Sequence, residues 1–338
     1  MNNKTLIALA VTSTLSMGAN AATVYSEDGT ELNVGGRAEF RGDFNGTDSG
    51  EEIDGTMSNK SRFRLNIGGT TEITDTLSGF GFYEAEQKVA NSTNAADKTD
   101  NFEQRYMFAG LKGDFGAVSF GRQDTAAVQI SQMSDVTTFT GTQKTFISAG
   151  NEQINNTILY TGEFVDGLNF KANYVAGEDK NTDSYGVSAI YTLPMGLGFG
   201  LGYSAGDNGE DEGTGKATIV GINYALDSLY LAGTYTAGET DSKKDSDFNG
   251  VEIAAKYGFG NGFTLMGAYQ KAEIDQDGQT KDKSDFFEIT GDYAFNKNIN
   301  AYVSYLFNNI DKGNLAQDGA ADFRGDEDTV RLGLMYTF

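Results

Sequence analysis

The feature that most constrains the fold is a strict alternation of apolar and polar residues, repeated along most of the chain. At its end, Val330, Leu332, Leu334, Tyr336 and Phe338 occupy one set of alternate positions, and polar, small or basic residues fill most of the other. Successive side chains of a β-strand point to opposite faces, so such a segment has one apolar and one polar face. The pattern predicts an all-β chain.

About sixteen such segments follow one another at intervals of roughly twenty residues, a spacing within the range of membrane barrels. Seven short connections, among them 74–76 and 296–298, interleave with eight long polar ones, among them 45–57 and 273–284. Strict alternation of short and long connections is the pattern of up-and-down antiparallel strands. It also predicts that both termini lie on the same side.

Two architectures can bury the apolar faces. In a soluble sandwich these faces form a shared core, whereas in a membrane barrel they face lipid and the polar faces line a lumen. Arg37, Glu39, Arg62 and Arg64 lie in mid-strand on polar faces, where a closed, dry core would not tolerate unpaired charges. Tyr and Phe also collect at strand ends, as in interfacial girdles. We therefore predict a transmembrane antiparallel up-and-down β-barrel of about sixteen strands.

The N-terminal segment has the three parts of a secretory signal peptide. Lys4 precedes the apolar run 6–11, and Ala19-Asn20-Ala21 forms a cleavage site of the A-x-A type. We expect residues 1–21 to be removed and residues 22–338 to form the barrel domain.

Composition excludes several classes of function. The chain has no His and no Cys, so it cannot build a Ser-His-Asp or Cys-His catalytic unit or a His- or Cys-ligated metal site. With 25 Lys+Arg against 48 Asp+Glu, its formal net charge is −23, which disfavours nucleic acid as a partner. The sequence predicts neither an enzyme nor a cofactor-binding protein.

A series of motifs follows the predicted strands in order along essentially the whole chain. They are Leu32-Asn33-Val34-Gly35-Gly36-Arg37-Ala38-Glu39, Ser61-Arg62-Phe63-Arg64-Leu65-Asn66-Ile67-Gly68-Gly69, Arg105–Gly113, Gly116–Arg122, Asn155–Tyr160 and Tyr336-Thr337-Phe338. In these motifs the chain resembles the general bacterial porins, the trimeric sixteen-stranded outer-membrane proteins of Gram-negative cells. It looks closest to the major porins of marine vibrio-like bacteria.

The resemblance implies a site and partners. The loop at about 124–152 is expected to fold into the barrel and narrow it, with basic wall residues opposite loop acids. The matching wall positions are Arg37, Arg64 and Arg105, with Arg62 on the same face, and the loop acids are Asp135 and Asp124. Ion pairing with wall acids such as Glu39 is the alternative role for these arginines. The implied partners are two further copies in a homotrimer, outer-membrane lipid and lipopolysaccharide, the barrel-assembly machinery, and small hydrophilic solutes and ions.

The predicted function is passive diffusion of small polar solutes through a water-filled channel in the outer membrane. Removal of Lys4 with the leader leaves a mature charge of −24, and Gln153 stands where relatives often carry Arg, so we expect cation selectivity. The alternative is a surface adhesin or receptor barrel that acts through its long acidic loops. A large ionic conductance would distinguish the channel from such a barrel.

Overall fold

The computed structural model describes residues 21–46, 57–89, 102–244, 246–276, 278–311, 313–316 and 327–338. The predicted signal peptide, apart from Ala21, lies outside the described residues. In the described part of the chain, no helix is long and apolar enough to cross a membrane.

Eighteen β-strands make up nearly all of the regular structure in the described ranges. They are β1 Ala22–Glu27, β2 Thr30–Asn45, β3 Met57–Asn59, β4 Arg62–Thr74, β5 Leu77–Lys88, β6 Glu103–Gly113, β7 Gly116–Gln123, β8 Ile154–Val165, β9 Leu168–Val175, β10 Ser184–Thr192, β11 Leu197–Asp207, β12 Thr214–Leu226, β13 Leu229–Glu239, β14 Asp247–Gly258, β15 Phe263–Gln276, β16 Gln279–Ala294, β17 Ile299–Asn308 and β18 Thr329–Thr337.

The sheet closes on itself as a sixteen-stranded barrel. Each strand from β4 to β18 pairs antiparallel with the next, and β18 pairs with residues 37–45 of β2. The short β3 and the longer β4 both pair with the same edge of β2 and form one interrupted strand. On its other edge β2 carries β1 along residues 30–34, in line with β18. The C-terminal residue lies against β2 there, because Gly36 N donates to Phe338 O at 3.0 Å.

The apolar faces point outward, as predicted. On β16, Phe287 and Ile289 are 52% and 49% exposed, whereas Glu288 and Thr290 between them are 3% and 0% exposed. The same alternation holds on β17, where Val303 is exposed and Ser304 is buried. A barrel with an apolar outer surface and a polar lumen satisfies every strand backbone group without an open edge, which is what a lipid bilayer requires.

The seven predicted short turns all join paired strands, but the predicted long loop at 273–284 is wrong. There β15 and β16 continue as a hairpin as far as the pair Gln276↔Gln279, and Gly278 takes φ +74° in the turn. Charged residues within 273–284, such as Glu273, suggested a loop. Glu273 lies instead on the outer face of the hairpin, paired with Lys271 at 2.9 Å. A strand that carries polar residues on its outer face can extend beyond the apolar band.

Candidate functional site

The four predicted wall arginines lie together on the lumen face of neighbouring strands. Residue pairing places Arg37 beside Arg64 and Glu39 beside Arg62, and it brings Glu86 beside Arg64. These side chains and their immediate partners form one array, which we call the arginine wall. Its members are Arg37, Glu39, Arg41, Arg62, Arg64, Glu84, Glu86 and Arg105.

Glutamates bridge the arginines of this wall. Arg62 Nε donates to Glu39 at 2.6 Å, and Arg64 Nη2 donates to Glu86 at 2.6 Å. Arg105 Nε donates to Glu84 at 2.8 Å. Guanidinium groups suit this arrangement because their rigid fork can serve two carboxylates at once: Arg64 also lies 3.4 Å from Glu84.

The arginine wall carries more positive than negative charge. Its five arginines share three glutamates, so two positive charges are not compensated within the wall. The glutamates are buried, whereas the arginine side chains are 14–25% exposed. The wall therefore presents guanidinium groups, rather than carboxylates, to the lumen.

The connection between β7 and β8, residues 124–153, packs against the inner face of the opposite half of the barrel. Ile130 of its short helix α1, Val128–Ser131, and Met133, which follows the helix, pack in one cluster with Ile219. Glycines make room for this contact: a Cβ on Gly200 would lie 2.7 Å from Ile130, and a Cβ on Gly221 would lie 2.7 Å from Met133. The loop backbone can thus approach the sheet closely.

A buried carboxylate anchors the tip of this loop. Glu288 of β16 accepts hydrogen bonds from the backbone N–H groups of Thr138 and Phe139 at 3.0 and 3.1 Å, and from the hydroxyl groups of Thr137 and Thr138. Arg331 of β18 holds the same tip. Its Nη1 donates to Thr138 O at 2.8 Å, and its guanidinium lies 3.8 Å from the centre of the Phe139 ring.

A second carboxylate anchors the following turn. Glu252 of β14 is fully buried and accepts a hydrogen bond from Gly141 N at 2.7 Å. Gly141 has φ +96°, and a Cβ there would lie 2.6–3.0 Å from the Asp135 carboxylate. Only glycine meets both demands without strain. We call Glu252, Glu288 and Arg331 the loop anchors.

The two predicted loop acids occupy different environments. Asp124 accepts hydrogen bonds from Tyr106 Oη at 2.9 Å and Gln153 N at 3.2 Å. Burial and the nearby Glu152 carboxylate raise the pKa of Asp124. Asp135 is exposed on the loop and accepts a hydrogen bond from Thr140. Among the described residues, neither acid forms an ion pair with the arginines of the wall.

Sequence reasoning missed a third loop acid. Glu152 accepts a hydrogen bond from Lys144 Nζ at 2.8 Å. Although burial opposes its ionisation, the Lys144 ammonium, with help from Arg105 and Arg64, holds the pKa of Glu152 below its ordinary value. Glu152 is therefore a charged loop carboxylate that interacts electrostatically with Arg64 and Arg105 of the arginine wall.

Other missed residues carried a partial signal. Glu252, Glu288 and Arg331 alternate with apolar residues on their strands, so the alternation alone marked them as lumen-facing. Glu84 and Glu86 also face the lumen, but aromatic residues fall on both faces of β5, so the alternation did not mark them. The alternation does not indicate which of these inward-facing side chains binds a charged partner on a neighbouring strand and which binds the loop backbone.

Comparison with known proteins identifies the family. A model described as Gram-negative porin matches residues 5–314. The chain is 34% identical over 354 residues to porin-like protein L of Photobacterium profundum, covering 99% of this chain and all of the relative. It is 33% identical over 361 residues to outer membrane protein U of Vibrio parahaemolyticus, covering 99% of each.

Solved structures share the fold. OmpF of Salmonella typhi, in a complex with daunomycin, matches with a TM-score of 0.81 at 22% identity, covering 94% of this chain and all of that one. A trimer form of OmpT from Vibrio cholerae matches with a TM-score of 0.71 at 18% identity, covering 92% of this chain and all of that one. Porins are channels rather than enzymes. With its closed barrel, polar lumen and full-length relatives, the chain belongs to the Gram-negative porins of the outer membrane, as its resemblance to vibrio-like porins predicted.

Proposed function

We propose that this porin is a general diffusion channel through which small hydrophilic solutes and ions pass down their gradients. The observation that carries the proposal is the reversed polarity of the barrel, with exposed Phe and Ile outside and charged residues inside. A polar lumen that holds water removes the cost of transferring a polar solute into hydrocarbon.

The proposed constriction lies between the arginine wall and loop 124–152. We assign Arg37, Arg62, Arg64 and Arg105 to its basic side and Asp124 and Asp135 to its acidic side, to which the position of Glu152 adds a third carboxylate. Charges that face each other across a narrow aqueous gap bias which ions enter. The alternative role, ion pairing alone, has support in the short Arg–Glu contacts of the wall.

We also propose that the channel prefers cations. The whole chain carries a net charge of −23, and a negative potential at the channel mouths raises the local cation concentration. The two uncompensated positive charges of the arginine wall act against this preference at the constriction.

Single-channel recording in planar bilayers tests both proposals. Stepwise conductance in symmetric KCl, with a reversal potential of cation-selective sign under a KCl gradient, is expected. A reversal potential of anion-selective sign would contradict the preference, and the absence of conductance would favour a plugged receptor or adhesin barrel.

Assembly and export complete the proposal. We propose cleavage before Ala22, insertion through recognition of the terminal Phe338 by the barrel-assembly machinery, contact with lipopolysaccharide, and a homotrimer, the state named for the structurally similar OmpT. The exposed apolar band supplies the surface for lipid and neighbouring subunits. Native mass spectrometry of the purified porin checks the cleavage site and the oligomeric state: three subunits per particle, each beginning at Ala22, are expected.

A further inference from the structure

Part of the lumen surface is aromatic rather than polar. Phe80 and Phe82 of β5 face the lumen beside Tyr106 and Phe108 of β6, between the arginine wall and the rim of short turns. The Phe82 ring centre lies 5.6 Å from that of Phe108 and 6.2 Å from that of Tyr106. We call these four rings and the lumen cavity that they line the aromatic cleft.

The aromatic cleft is open to solutes. Phe82, Tyr106 and Phe108 are only half-buried, and the loop side of the cleft is formed by polar groups, Gln132 and Asp124. Apolar ring surface that faces water is unfavourable, and a solute that covers it gains free energy. Aromatic faces bind another flat ring best, by offset stacking or edge contact.

A cationic side chain lies at the edge of the aromatic cleft. Lys171 of β9 lines it, and within the described residues its ammonium has neither a hydrogen-bond nor an ion-pair partner. The acids nearby are engaged: Glu84 pairs with Arg105 at 2.8 Å, and Asp124 accepts from Tyr106 and Gln153. Among the described residues, no salt bridge joins Asp124 and Lys171. Lys171 is therefore available to an anionic group from outside the chain.

We propose that the aromatic cleft is a binding site, on the permeation path, for solutes that combine a flat apolar ring with a carboxylate. The ring stacks on Phe82 and Phe108, and the carboxylate accepts hydrogen bonds from the Lys171 ammonium. The inference rests on the proposed channel function, because the site lies inside the lumen. It gives a cation-preferring channel a local means of retaining aromatic anions.

The test measures how solutes reduce the single-channel current. Phenylacetate is compared with acetate, which lacks the ring, and with 2-phenylethylamine, which carries the opposite charge. Phenylacetate is expected to halve the current at a concentration about tenfold lower than either. 2-Phenylethylamine loses the charge-assisted hydrogen bond to Lys171, which costs roughly a factor of ten or more. Acetate keeps that hydrogen bond but loses the stacking and the apolar area that the ring buries, which costs about as much. Equal potency of acetate or 2-phenylethylamine would overturn the proposal.

Substitutions at Lys171 and Phe82 test whether the aromatic cleft is the site of phenylacetate block. Lys171→Gln should raise the half-blocking concentration of phenylacetate about tenfold by the same arithmetic. Lys256→Gln, which removes an exposed lysine from β14 across the barrel, should leave it unchanged. No change in Lys171→Gln would also overturn the proposal. Should that variant fail to fold, Phe82→Leu, which keeps an apolar side chain but removes the ring, should weaken phenylacetate block and leave acetate unaffected.

Failure of this inference is distinguishable from failure of the channel. If the porin conducts but phenylacetate blocks it no better than acetate does, the proposed site in the aromatic cleft is wrong and the channel function stands. If the porin does not conduct, saturation-transfer NMR of phenylacetate with the protein in detergent decides the inference. Transfer to the ring that is lost in Lys171→Gln supports it, and absence of transfer overturns it.

Discussion

The two halves of the lumen wall use the same kind of residue in different ways. On the arginine wall, Glu39, Glu84 and Glu86 are neutralised by guanidinium groups of neighbouring strands. On the opposite half, Glu252 and Glu288 receive N–H groups of the loop backbone. All five carboxylates are inward-facing and nearly inaccessible.

The difference shows how the partner decides the role of a buried carboxylate. Burial of an unpaired charge is costly, so each carboxylate must find a donor. Where adjacent strands supply arginine, the outcome is a charged surface facing the lumen. Where they supply none, the carboxylate holds a loop in place, and the loop then stands opposite the charged surface.

The largest effect should follow from removing a loop anchor. Glu288→Gln replaces an acceptor of several hydrogen bonds by an amide whose NH₂ group faces N–H donors, and hydrogen bonds to charged groups contribute about 1.5–3 kcal/mol each. The loop tip should detach, giving noisier and larger single-channel currents. The matched control is Glu273→Gln, which breaks an ion pair on the outer face.

An unchanged current in Glu288→Gln would show that the loop keeps its position without this carboxylate. The two halves of the lumen wall would then differ in how their side chains pack, and not in whether a carboxylate anchors the loop.

A smaller effect is expected from the arginine wall. Replacing Arg64 and Arg105 together by Gln should widen the pore and raise the preference for cations, because Glu84 and Glu86 lose their nearest positive partners. Two charges about 4 Å apart interact by about 1 kcal/mol in water, which predicts a change of roughly fivefold in the cation-to-anion permeability ratio.

Reversal potentials measured under a KCl gradient check this change, with Lys216→Gln on the outer face as the control. If neither conductance nor reversal potential moved, both arginines would serve ion pairing alone, and the constriction would lie elsewhere.

The smallest effect concerns the turn held by Glu252. Gly141→Ala adds a Cβ within 2.6–3.0 Å of the Asp135 carboxylate at φ +96°. Gly313 has φ +97° with nothing within 4 Å of its Cβ position, so Gly313→Ala carries the same backbone strain without the contact. Positive φ costs a non-glycine residue about 1 kcal/mol or more.

Current noise should therefore increase in Gly141→Ala and not in Gly313→Ala. Equal noise in both variants would show that the Asp135 contact relaxes easily and that the turn tolerates a side chain.

Much of the fold could be predicted because the bilayer requires every strand to place its apolar side chains on the outer face and its polar side chains on the inner face. Alternation fixed the outward face of segments such as Ile299–Phe307, and connection lengths gave the strand count. The hairpin of β15 and β16 was not predictable from polarity, because residues such as Lys271 and Glu273 remain solvated there whether they lie on a strand or in a loop.

The site was less predictable for a physical reason. Alternation places Arg64 and Glu288 in the lumen but does not determine their partners, since these come from strands or loops distant in the sequence. Resemblance supplied Arg37, Arg64 and Arg105, the alternation added Arg62, and the structure brings the four together. The resemblance could not supply Glu152, whose role depends on the path of the loop that brings it near Lys144.

The most direct test of the account asks which face of a strand meets water. The chain has no Cys, so a single introduced thiol reports on one position. Thr161 of β8 faces the lumen, whereas Ile158 is 40% exposed on the outer face. In intact outer membranes, a charged thiosulfonate should label Thr161→Cys and reduce the channel current of that variant, and it should leave Ile158→Cys unlabelled. Labelling of Ile158→Cys without labelling of Thr161→Cys would contradict a water-filled lumen.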